Sequence, residues 1–155
     1  MDKAPGRDWR LHGVRVVRAG ELDANTPQTP GMHREAAITT ASAGAEKLWA
    51  GTVLIEPDAK TGAHHHGPVE SVIYVVSGSA RMRWGERLEY VAEAGPGDFI
   101  FVAPYVPHQE INASPESALS CVVVRTGQEA VVVNLDLPDV EADPQPVPWV
   151  DDLHH

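Results

Sequence analysis

Residues 62–78 read GAHHHGPVESVIYVVSG, which sets three histidines and a glutamate immediately before an apolar, β-branched segment. Side chains alternate across a strand, so residues of equal parity share a face, and His64, His66 and Glu70 are all even-numbered. Two residues along a strand advance about 6.6 Å, a span across which two imidazoles can lean onto one ion. The Gly67-Pro68 pair interrupts extension, so parity links His64 to His66 more tightly than it links either to Glu70. Beyond the interruption, SVIYVVS (71–77) reads as a strand, with Val72, Tyr74 and Val76 on the face of Glu70. His65 is expected to point the other way. Neutral imidazole together with carboxylate suits a first-row transition metal and not the all-oxygen shell of calcium.

A second block repeats the pattern. PGDFIFV (96–102) is a turn followed by an extended apolar segment, and Pro104 and Pro107 bracket a turn that delivers His108 to the start of HQEIN (108–112). His108, Glu110 and Asn112 then share a face. The predicted metal ligands are therefore His64, His66, Glu70 and His108. Gln109 or Glu110 is placed to hydrogen-bond a ligand or a metal-bound water, and Asn112 to secure backbone at the strand end. A histidine run beside Gly and Pro also fits a solvated loop that binds metal only casually. The recurrence of the arrangement in a separate block weighs against that reading.

These two blocks resemble the paired motifs of the cupins, small β-barrels whose first motif runs HxH, three or four residues, Glu, and then Gly after a strand. His64, His66 and Glu70 follow that form, while Gly78 falls one residue late, which suggests a longer strand or a small bulge before the turn. In the second motif Gly97, His108 and Asn112 fall at the family's places. Ala103 and Tyr105 stand where a proline and a glycine are usual, with Pro104 one place along. The resemblance covers about residues 45–135 and is closest to small single-domain bacterial cupins of the cupin 2 type. It implies a jelly-roll β-barrel, one divalent transition metal per chain, and a small-molecule substrate or ligand. Among the family's activities it favours an Fe(II)-dependent dioxygenase-type oxidoreductase, with Mn, Ni, Cu or Zn as other metals. A metal-dependent isomerase and a non-enzymatic small-molecule or metal-binding cupin are the alternatives.

The rest of the chain agrees with an all-β fold. Extended segments occur at 14–18, 35–40, 47–56, 71–77, 80–84, 87–91, 98–102, 108–112, 118–125 and 129–134, separated by turn signals and with no sustained helical period. The expected organisation is an N-terminal arm with first strands (1–44), a barrel (45–135), and a Pro- and acid-rich tail (136–155) that packs through Trp149. The terminal His154 and His155 read as a disordered end. Tyr74, Trp84 and Phe101, with Trp49 and Met82, are candidate walls of a substrate pocket, and Arg34, Arg81, Arg83 and Arg125 are candidate anchors for an anionic substrate.

A chain of 155 residues with 43% hydrophobic content can bury one core. No apolar run approaches a membrane span and no signal segment follows MDKAPGRDWR, so a cytoplasmic location is expected. Cys121 is the single cysteine, which excludes an intrachain disulfide and reads as a small core residue. A formal charge of −10, from 12 basic and 22 acidic residues, argues against nucleic-acid or anionic-membrane binding. Ile73 and Val75, on the odd-numbered face of the 71–77 segment, would be awkward if exposed, and a homodimer is expected to cover them.

Overall fold

Short β-branched segments separated by turns cannot bury their apolar faces alone, and here they do so by closing two sheets over one another. The computed structural model describes residues 8–141. Its strands are β1 (Met32–Ile38), β2 (Leu48–Ile55), β3 (His64–His65), β4 (Ser71–Ser77), β5 (Ala80–Trp84), β6 (Tyr90–Ala94), β7 (Phe99–Val102), β8 (His108–Asn112), β9 (Leu119–Thr126) and β10 (Val133–Asn134). Three one-turn α-helices, α1 (Trp9–His12), α2 (Thr40–Ala43) and α3 (Pro138–Glu141), and a 3-10 turn at Ala19–Glu21 accompany them. One sheet has the order β1-β2-β9-β4-β7 and the other β10-β3-β8-β5-β6, with antiparallel pairing throughout. This is the jelly-roll barrel expected from the sequence.

The inward faces form the core, in which Met32, Val53, Ile55, Ile73, Val75, Met82, Val102, Leu119 and Cys121 pack together. Burial raises the Cys121 thiol to about 12, which makes it an inert core group and not a nucleophile. A smaller cluster of Ala63, Leu88 and Val140 brings α3 onto the outside of the second sheet. Trp149, His154 and His155 lie outside the described residues.

Three expectations are corrected. The segment 14–18 forms no strand; Val14 and Val16 are exposed, because no sheet edge is offered to them. Only Val133–Asn134 of the last predicted segment pairs. The phase of β4 is also the reverse of that predicted. Ser71, Ile73 and Val75 point into the barrel, while Val72 and Val76 point out. The cause is local: Gly67 adopts φ +57°, and the turn it opens resets the pleat before β4 begins. Ile73 and Val75 are thus covered by their own barrel and give no argument for a dimer.

The late Gly78 has its counterpart in a register irregularity between Val75 and Ser77 where β4 meets β9. At φ +95°, with the Ala118 carbonyl oxygen 2.6 Å from where a Cβ would sit, Gly78 admits no side chain.

Asn112 secures the strand end as expected. Its Nδ2 donates to the carbonyls of Ile55, Glu56 and Ser117 at 2.8–3.1 Å, and its Oδ1 accepts from the Ser114 amide at 2.9 Å. The residue is buried, so Asn112→Ala orphans several backbone groups at once. Urea unfolding should show a loss of about 3 kcal/mol, against almost none for an exposed site such as Glu86→Ala.

Candidate metal centre

Two paired strands bring the histidines together. His64 on β3 is the direct cross-strand partner of His108 on β8, and their ring centroids lie 4.4 Å apart. His66, one step beyond β3, sits 4.8 Å from His64 and 5.0 Å from His108 by the same measure. One nitrogen from each of the three lies within 4.8 Å of the others. The strand-parity argument therefore describes His64 and His66 correctly, and the second block delivers His108 to them.

Each ring is held from behind. The Nδ1 atoms face the carbonyls of Gly62, Val131 and Val106 at 2.8, 2.8 and 2.9 Å. A carbonyl only accepts, so each Nδ1 carries the proton and each Nε2 presents a lone pair. His108 Nε2 is buried with no hydrogen-bond partner. Three converging lone pairs, one of them without a protein donor, form a set that fits a divalent transition metal and little else. His65 differs in kind: its Nδ1 accepts from the Gly67 amide at 3.0 Å, its ring lies beside Tyr105, and it stands outside the cluster.

Glu70 does not join the cluster. It is exposed at the entry to β4, where its amide donates to Thr126 Oγ1 and its carbonyl accepts from the Thr126 amide, both at 3.0 Å. The reset pleat puts Ser71 on the inner face in its place. The carboxylate facing the histidines is Glu110, two residues after His108 on the same face of β8, with Oε2 3.9 Å from His64 Nε2. The sequence contained that signal, since His108 and Glu110 share parity with no break between them. Gln109 is on the opposite face, donating to the carbonyls of Thr61 and Glu141.

Burial lowers all three imidazoles below their ordinary 6.5, against an opposing pull from Glu110 on His64 and His108 and from the Val131 carbonyl on His66. For Glu110, burial works to raise the carboxyl, but the combined field of the three histidines and Arg34 holds it below the usual value. Neutral imidazoles beside an ionised carboxylate are the protonation state a metal requires. Because histidine values depressed by folding leave the native chain with fewer protons than the unfolded one, metal-free stability should fall as pH drops below about 6.5. Glu110 contributes only at lower pH. The urea midpoint of chelator-treated protein should thus be lower at about pH 5.5 than at about pH 7.5, and equal midpoints would contradict neutral buried histidines.

A cavity of about 430 Å³ opens over the cluster, with His66, His108 and Glu110 on its floor and Trp49, Val69, Ser71, Ile73, Val102 and Val123 among its walls. Of the predicted wall residues, Trp84 and Phe101 line a second cavity that reaches His108 from the other side, together with Met82. Tyr74 lines neither; it lies on the outer face of β4, its ring 4.8 Å from that of Phe99.

A family model described as Cupin domain matches residues 51–125. Among solved structures the chain is similar to the polyketide cyclase RemF from Streptomyces resistomycificus, at 23% identity over 83% of this chain and 89% of that one, with a TM-score of 0.67. KdgF from Halomonas sp. is similar at 18% identity, 75% and 96% coverage and a TM-score of 0.60. So is the oxalate decarboxylase of Bacillus subtilis, a protein with Mn(II) centres, at 21% identity, 76% and 31% coverage and a TM-score of 0.61. At these identities the likenesses speak to the fold. No curated protein matches the chain. No helix among the described residues is long and apolar enough to cross a membrane. The domain match, the two-sheet barrel and a histidine cluster contributed by both motifs together identify residues 51–125 of this chain as a cupin domain.

Proposed function

We propose that the protein is a metal-dependent enzyme acting on a small organic molecule, and that it is an Fe(II)-dependent dioxygenase-type oxidoreductase. The observation that supports this reading is the convergence of three Nε2 lone pairs and the Glu110 carboxylate at the floor of an otherwise largely apolar cavity. Such a donor set leaves coordination positions open, and iron bound there supplies adjacent sites for O₂ and an organic substrate. The chain's own residues do the remainder. The carbonyls of Gly62, Val106 and Val131 fix the three rings, Glu110 takes the carboxylate role that the motif ascribes to Glu70, and the valine-rich wall gives the reacting groups an apolar surround.

Anaerobic reconstitution with Fe(II), followed by O₂ uptake against a panel of small phenols, diketones and thiols, tests the reading. Uptake with one substrate class supports it. Conversion without O₂ in the Zn or Mn form would replace it with a metal-dependent isomerase, and tight binding with no turnover in any metal form with a non-enzymatic binding cupin.

We also propose a homodimer, on a different surface from the one the sequence suggested. Val72 pairs across strands with Phe101, and Tyr74 with Phe99, on the outer face at the β7 edge of the first sheet. Phe99 and Phe101 are 71% and 61% exposed, which is unfavourable for a monomer and suits packing against a second copy. Sedimentation should show a dimer that Phe101→Glu converts to a monomer. A monomeric wild-type chain would refute this.

A further inference from the structure

Four arginines are candidate anion anchors by sequence, and the topology separates them. Arg81 pairs with Glu93 at 2.7 Å on the second sheet, and Arg83 is buried with Nη1 donating to the Val140 carbonyl at 2.6 Å. Arg34 on β1 and Arg125 on β9 instead line the cavity above the histidines. With Glu110 they are its only charged side chains among the described residues, two cations to one anion, inside a protein of formal charge −10.

Arg125 is held from one side only, and Arg34 through Nη1 on Thr29 Oγ1 and a longer contact of Nη2 to Met32 Sδ. Arg125 lies between Trp49 and Ser71, its cross-strand partners on β2 and β4. The Trp49 ring takes one face of the guanidinium at 4.0 Å, and Nε is buried with no hydrogen-bond partner. The reset of β4 matters here, because it puts an uncharged serine beside Arg125 and turns Glu70 outward. Burial and, less strongly, the charge of Arg34 across the shared cavity lower the Arg125 pKa.

Arg34 is positioned by the 24–32 loop. The Gln28 side-chain amide accepts from the Arg34 amide at 2.8 Å and donates to its carbonyl at 2.9 Å, acting as an extra strand, while Arg34 Nη1 donates to Thr29 Oγ1 at 2.9 Å. Neither arginine has a carboxylate within ion-pair distance among the described residues.

We propose that the substrate of this site is a small organic acid whose carboxylate docks on Arg34 and Arg125, with its apolar body against Trp49 and Val123 and its reactive end toward His66 and His108. A planar carboxylate matches the guanidinium fork with two parallel hydrogen bonds. A cavity of about 430 Å³ admits a single ring or a short chain. The inference rests on the proposed reading of this cavity as the substrate site, and it names the substrate class.

Benzoate and butyrate, against benzamide, butyramide and phenyl phosphate, are suitable probes for calorimetric titration of the zinc-loaded protein, with zinc content measured in parallel. At least one acid should bind, with its amide about tenfold weaker or worse. Arg125→Gln and Arg34→Gln should each weaken the acid about tenfold with zinc content unchanged, and Arg125→Lys should recover part of the loss. Arg15→Gln, far from the cavity, should change nothing. Where Arg125→Gln fails to fold, Arg34→Gln carries the same test.

Equal binding of acid and amide, no saturable binding of either acid, or full affinity in both arginine variants overturns the proposal, and a preference for phenyl phosphate overturns the carboxylate assignment. Arginine-dependent acid binding in a protein that retains no zinc would sustain this proposal and overturn the metal reading instead.

Discussion

His64→Ala and His108→Ala should each lower metal affinity by at least ~100-fold, since loss of a supporting partner alone costs ~10–100-fold and these changes remove a donor outright. The same metal analysis on His65→Ala should show near wild-type content. The contrast follows from hydrogen-bond direction. His64 and His108 direct Nδ1–H at a backbone carbonyl and are left with Nε2 lone pairs in the cluster, whereas His65 uses its Nδ1 lone pair on the Gly67 amide. Urea unfolding of the metal-free variants serves as the control, because His108 is 1% exposed and its removal leaves a void. Equal metal loss at His65 and His64 would refute the assignment.

The second large effect separates two carboxylates. Glu110→Gln keeps size and hydrogen-bonding capacity but removes the only acidic side chain lining the cavity among the described residues, and should weaken metal binding by about 10–100-fold. Glu70→Gln should leave metal affinity within about twofold, since Glu70 is exposed and its neighbour Thr126 is engaged through backbone atoms and a hydroxyl. Competitive titration with a chromophoric chelator reads both. A large loss in Glu70→Gln with none in Glu110→Gln would show that the β4 entry rearranges when metal binds and would return the carboxylate role to Glu70.

Recognition of the fold depended on local features, and so did the errors. Segments such as 71–77, 80–84 and 108–112 appear as strands with the same bounds because β-branched residues between turn formers leave few other options. Residues 14–18 carry similar propensity and stay unpaired, because a strand exists only where a neighbour supplies hydrogen bonds. Trp84 and Phe101 lie by a cavity and Tyr74 lies outside both, although Tyr74 and Phe101 share the outer face of the first sheet, because β7 is the edge strand beside the second cavity and β4 lies one strand in.

By itself the sequence determined the class of fold and the three histidines. His64 and His66 are two residues apart, and His108 opens an uninterrupted strand, so geometry over a few ångströms of chain suffices. Only the tertiary structure decided which carboxylate faces them and which arginines share their cavity. The turn at Gly67 resets the alternation that would have carried Glu70 inward, and the pairing of β1, β2, β9 and β4 brings Arg34, Trp49, Arg125 and Ser71 onto one inner surface. Parity passes along a strand but not through a turn, and contacts between distant strands are set by sheet order, which no single segment contains.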